Sequence, residues 1–205
     1  KVHYPMFSFS CPINKHYPLI PDNTFMEFSF KERFGKGESW DLSKKTFVKN
    51  IQKTFKDKRI FFRGKDSTKY RTNSRRILYD IQDKKKMHIE LLEENAMKYI
   101  PMYEFSKYKY LLDLPGQYEW SNRLPRLFLC NRLVIKLNYD IIQYPDEKEF
   151  IAFTDLFMRP NIDYLKYETR LNETKYVNYN SRSEKNKKIL EEFQSKMLKD
   201  LKKMS

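Results

Sequence analysis

Two stretches of this sequence combine arginine, hydroxyl and glycine in a pattern suited to holding an anion. The first is Arg63-Gly64-Lys65-Asp66-Ser67-Thr68-Lys69-Tyr70-Arg71 and the second is Gly116-Gln117-Tyr118-Glu119-Trp120-Ser121-Asn122-Arg123. A sugar diphosphate needs backbone N–H donors at a helix start, hydroxyls for its oxygens, and cations that grip two oxygens at once. The planar fork of arginine meets the last need. Taken alone, Arg63 and Arg123 are more simply explained as structural arginines paired with carboxylates. His3, His16 and His88 are too scattered for a metal site and read as structural or surface residues. Trp40 and Trp120 have the surface to stack on a sugar or a uracil, although packing is the default for either.

Both loops need a strand before them and a helix after them. Arg59-Ile60-Phe61-Phe62-Arg63-Gly64 is a β-branched and aromatic run stopped by glycine, and residues 73 to 82 then carry a helical pattern. The design repeats: a strand is predicted over 108 to 114, closed by Pro115-Gly116, then a helix from about Ser121 and a buried strand over 132 to 137. Strand, helix, strand at this spacing argues for parallel α/β layering, in which ligands sit beyond the C-terminal strand ends. Further helices are expected over 42 to 55, over 146 to 157 and, on an apolar stripe of Ile189, Phe193, Met197, Leu198 and Leu201, from Ser183 to Lys203. Residues 1 to 45, punctuated by Pro5, Pro12, Pro18 and Pro21, read as loops and brief strands.

The chain has 205 residues and a formal net charge of +14, which raises nucleic acid as a partner class. That reading is demoted, because abundant lysine, asparagine, tyrosine, isoleucine and phenylalanine with only 4 glycines are what an AT-rich coding sequence produces. Lys84, Lys85 and Lys86 are therefore read as a solvated face. Cys11 and Cys130 have no metal or redox spacing. No apolar stretch approaches the roughly 18 residues of a membrane span; the run from Leu127 to Leu137 is interrupted by Asn131 and Arg132.

Several segments resemble glycosyltransferase family 90, which includes the protein O-glucosyltransferases and O-xylosyltransferases. The likeness is strongest in Lys107-Tyr108-Lys109-Tyr110-Leu111-Leu112-Asp113-Leu114-Pro115-Gly116 and in Trp120-Ser121-Asn122-Arg123-Leu124-Pro125-Arg126-Leu127-Phe128-Leu129-Cys130. Phe61-Phe62-Arg63-Gly64 with Arg71, Pro5-Met6-Phe7-Ser8-Phe9-Ser10, Ile20-Pro21-Asp22-Asn23-Thr24-Phe25 and Trp40-Asp41 resemble further segments in the same order. The resemblance implies a GT-B architecture of two Rossmann-like lobes and metal-independent, inverting transfer of glucose or xylose from a UDP donor to a hydroxyl. It implies that Arg63, Arg71, Ser121 and Arg123 hold the UDP-sugar, and Gly116 of the same loop is counted with them. Asp22, Trp40 and Trp120 are read as candidate sugar or acceptor contacts, against turn formation for the first and packing for the tryptophans. No cofactor is implied beyond the UDP-sugar itself.

Departures from the family pattern are specific. Asp66 stands where a loop arginine is expected, with Lys65 beside it; Cys130-Asn131-Arg132 and Pro160-Asn161-Ile162-Asp163-Tyr164 replace two further family motifs. The family's catalytic aspartate would fall ahead of Lys1, so the chain is expected to be truncated at its N-terminus and to lack its general base. The expected organisation is a partial N-terminal lobe over 1–58, a nucleotide-sugar-binding lobe over 59–182, and a C-terminal amphipathic helix over 183–205 that docks on a lobe absent from the chain. The expected partners are a UDP-sugar and a protein or glycan acceptor; the alternatives are an inactive binding or structural module of the same fold, or a basic nucleic-acid-binding protein. Asn172-Glu173-Thr174 is a glycosylation sequon, relevant if a leader directs the protein into the secretory pathway or ER lumen; without one the protein would be cytoplasmic.

Overall fold

The structure, a computed structural model, describes residues 10–12, 45, 47–65, 72–92, 100–114, 123–141, 150–152, 158–173 and 179–204. Its elements are β1 (Ser10–Pro12), β2 (Asp57–Lys65), α1 (Ser74–Ile81), β3 (Met87–Leu92), a 3-10 helix (Met102–Lys107), β4 (Tyr108–Asp113), α2 (Leu124–Leu129), β5 (Leu133–Ile141), β6 (Phe150–Ala152), β7 (Leu165–Leu171) and α3 (Tyr179–Lys203). Five strands form one sheet in the order β3-β2-β4-β5-β7, and every neighbouring pair is parallel. Counted along the chain this is the order 2-1-3-4-5, one of the two common doubly wound arrangements, and the order reverses between β2 and β4. The fold is thus α/β with a parallel sheet, compatible with a Rossmann-like lobe.

Alternation along the strands sorts the core into two layers. Ile60 and Phe62, Leu112 and Leu114, and Ile135 and Leu137 point to one face, where Ile77 and Leu78 of α1 and Leu190, Phe193, Met197 and Leu201 of α3 cover them. Phe61, Leu111 and Val134 point to the other, against Phe105 of the 3-10 helix and Leu124 and Leu127 of α2. Each such burial contributes about 1.5–3 kcal/mol. Burial on both faces explains why the central strands read as continuous apolar runs.

The strands expected over 59 to 64, 108 to 114 and 132 to 137 are β2, β4 and β5, and the last two are adjacent and joined through α2, as expected. Three expectations are corrected. Residues 150 to 152, placed in a helix over 146 to 157, are the strand β6, which pairs antiparallel with β1; a partner distant in sequence overrides local helical spacing. In the helix expected over 42 to 55, the described helical residues are 45 and 47–50, and the chain leaves the helix at Ile51. The stripe of α3 does not look outward for a further lobe. It seals its own sheet, because Leu137, Tyr139 and Leu171 would otherwise meet water. Two strands went unforeseen: β3 and β7 are the sheet's edges and carry charges, Glu90 in the first and Lys166, Glu168 and Arg170 in the second, as edge strands tend to.

Asn172, the sequon asparagine, is buried at the end of β7, where its side-chain amide donates to Asn186 Oδ1 of α3 at 3.2 Å. Among the described residues, no helix is long and apolar enough to cross a membrane.

Candidate functional site

The C-terminal ends of β2 and β4 flank the point where the strand order reverses, the crevice in which open α/β sheets bind ligands. Two guanidinium groups tie these ends together. Arg123, the residue preceding α2, donates from Nε and Nη2 to Asp113 Oδ1 at 3.0 and 2.8 Å, from Nη2 to the Leu114 carbonyl at 3.0 Å, and from Nη1 to the Arg63 carbonyl at 3.2 Å. Arg75, in the first turn of α1, donates to the carbonyls of Lys65 at 3.1 Å and Leu114 at 3.2 Å. Both lie over the Phe62 ring, Arg123 at 4.6 Å and Arg75 at 5.4 Å from its centroid. Gly64 permits this stacking: a Cβ there would stand 2.9 Å from the Phe62 ring and 3.1 Å from Arg123 Nη1.

The pair formed by Arg123 and Asp113 is largely desolvated, with side chains 17% and 2% exposed. Lys136 of β5 is buried beside it as the register partner of Asp113. The hydrogen bonds of the Arg123–Asp113 pair, made between charged groups, are stronger than neutral ones.

Arg63 belongs to a second network on the α2 face of β2. It donates from Nη1 to Glu90 Oε2; Glu90 Oε1 lies 3.0 Å from His88 Nε2, and His88 Nδ1 lies 2.8 Å from the Tyr108 hydroxyl. Phe61 stacks on Tyr108 with centroids 4.0 Å apart and meets His88 edge-on. Burial holds the His88 imidazole below its ordinary value, against the opposing pull of Glu90, and pushes the Tyr108 hydroxyl up to about 12. A hollow of about 460 Å³ runs along β3, lined by Arg59, Arg63, His88 and Glu90 among others.

Of the residues singled out in the sequence, Arg123 meets Arg63 at the strand ends through the Arg63 backbone carbonyl, while the two side chains are engaged by different carboxylates, Asp113 and Glu90. Arg71, Gly116, Ser121, Asp22, Trp40 and Trp120 lie outside the described residues. Sequence reasoning missed Asp113, Glu90, Arg75 and Lys136. Asp113 stood inside an apolar strand run, the one signal that marked it. Cys130 is buried, and burial pushes its thiol up to about 12. No group of three or more potential metal ligands is found among the described residues.

No protein-family model matches the chain, and no curated protein matches it.

Proposed function

We propose that the chain is the donor-binding core of a UDP-sugar-dependent glycosyltransferase, moving glucose or xylose to a hydroxyl of a protein or glycan. One observation carries this reading. The two arginine-bearing loops leave β2 and β4, the very strands between which the sheet order reverses, where nucleotide ligands sit in open α/β sheets. The GT-B arrangement, with a second lobe closing over the crevice, belongs to the same proposal.

In this reading Arg123 and Arg75 are scaffold. Their guanidiniums align the carbonyls that end β2 and β4, so that the loops leave with fixed direction. Arg63, Gly116, Arg71 and Ser121 would face the diphosphate, as the family resemblance implies. The acceptor oxygen attacks the anomeric carbon, the bond from that carbon to the UDP oxygen breaks, and the acceptor's proton passes to a carboxylate base. Cations and N–H groups offset the charge that develops on the departing diphosphate. The second reading, a module that keeps the fold without catalysis, draws support from the engagement of Arg63 by Glu90 and Arg123 by Asp113.

Calorimetric titration of UDP, uridine and a duplex oligonucleotide separates the readings. The donor reading expects UDP to bind more tightly than uridine or duplex. It also expects Arg71→Ala to weaken UDP binding roughly tenfold to a hundredfold, the effect of one charge-assisted hydrogen bond, while Lys85→Ala has little effect. Equal affinity for UDP and uridine would sink it.

A further inference from the structure

We propose that the first turn of α1 is a binding site for a phosphate group, held by the hydroxyls of Thr72 and Ser74 together with the N–H groups that open the helix. This deepens the donor reading and rests on it only for the identity of the molecule that carries the phosphate.

Two buried hydroxyls point to it. Thr72 is 0% and Ser74 1% exposed, and neither Thr72 Oγ1 nor Ser74 Oγ has a hydrogen-bond partner among the described residues. Burying a hydroxyl without a partner is unfavourable, and here two are buried within three residues. Both flank Asn73, the cap residue of α1, whose side chain makes no capping bond. A side chain at the cap position ordinarily satisfies one of the first N–H groups of a helix.

The charge pattern of the helix is inverted in the same sense. Its first turn carries no acidic residue and does carry Arg75, 7% exposed. The positive end of a helix favours an anion, and no acidic side chain of the first turn supplies one. Arg75 also reaches the carbonyls of Lys65 and Leu114, so the helix start lies beside the ends of β2 and β4, at the reversal of strand order.

The base of the site is rigid. Asn186 of α3 donates from Nδ2 to the Thr72 carbonyl at 3.2 Å and to the Asn172 carbonyl at 2.8 Å, and its Oδ1 accepts from the Asn172 backbone N–H at 2.6 Å. α3 thereby fixes the backbone that carries the hydroxyls. A tetrahedral, multiply charged group with several acceptor oxygens suits two hydroxyls and a fan of N–H groups better than a planar carboxylate does.

The test uses the full chain with inorganic phosphate, UDP and uridine at matched ionic strength, by calorimetry, and thermal midpoints without ligand. For Thr72→Val combined with Ser74→Ala the midpoint is expected to hold or rise, since unpartnered buried hydroxyls are removed. Phosphate and UDP affinity should fall roughly tenfold or more. The single variant Ser74→Ala gives an independent check if the pair misfolds. Wild-type affinity for phosphate in the folded variants overturns the site, as does absence of phosphate binding by the unaltered chain. If the variants lose phosphate and UDP binds no more tightly than phosphate, the site stands and the donor reading falls. If UDP binding survives in the variants and is lost in Arg71→Ala, the donor reading stands and the site falls.

Discussion

The backbone carbonyl of Arg63 is held by the guanidinium of Arg123, 3.2 Å away across 60 positions of sequence. The end of β2 and the approach to α2 are therefore one mechanical unit, and a change at Arg123 acts on the fold before it acts on any ligand.

Arg123→Ala should destabilise the chain by about 3–5 kcal/mol, because it removes the guanidinium that bonds the buried Asp113 carboxylate and the carbonyls of Leu114 and Arg63. Arg123→Lys should recover part of that loss, having the charge and lacking the fork. Urea denaturation reads both. If Arg123→Ala is as stable as the unaltered chain, the clamp is not structural.

Gly64→Ala should cost about 1–3 kcal/mol, since the added methyl meets the Phe62 ring at 2.9 Å and Arg123 Nη1 at 3.1 Å. A double-mutant cycle with Arg123→Ala checks the cause. The penalty should shrink when the arginine is already gone, and simple additivity would show that the crowding lies elsewhere.

The imidazole of His88 should make stability fall on acidification. Burial lowers its folded-state value, with Glu90 and Asp57 opposing and Arg59 and Lys107 assisting. The unfolded chain therefore takes up a proton first. The contribution of neutral His88 is complete above the unfolded value, about 6.5, and is lost as pH falls below it toward the folded value. His88→Gln should be less sensitive than the unaltered chain between pH 7.5 and 5.5. Equal pH dependence of the two urea midpoints would remove His88 from this role.

Phe193→Ala on α3 should cost about 3–5 kcal/mol, because the ring is buried in the core and packs edge-on to Tyr167 at 5.4 Å. Val48→Ala, at a side chain 52% exposed, should stay within about 0.5 kcal/mol. Thermal unfolding of the pair tests whether α3 is an integral part of the core. Similar midpoints would mean that it is not.

The central strands were legible in the sequence because burial on both faces leaves unbroken apolar runs in β2, β4 and β5. β3 and β7 were not, since an edge strand keeps charges such as Glu90 and Lys166 between its apolar positions. Phe150-Ile151-Ala152 fits helical spacing as well as a strand, and only pairing with Ser10–Pro12 decides between them. At the candidate site the arginines were visible as residue types. Their carboxylate partners were not, because Asp113 and Glu90 meet them only when the sheet forms. Thr72 and Ser74 gave no signal at all: what distinguishes them is the absence of a partner, which no sequence pattern displays.

The covering of the sheet by α3 has a bearing on biosynthesis. β2 and β4 leave the ribosome long before residues 179–203, yet their apolar side chains share one core cluster with that helix. Each parallel neighbour must in addition be brought back by a crossover, which makes such sheets slow to form. A nascent chain holding the strands through β7 would still present Leu137, Tyr139 and Leu171 to the cytosol or to whichever lumen receives it. Folding of this unit must then await α3, and the interval before that helix arrives is when a chaperone that binds apolar surface would find it.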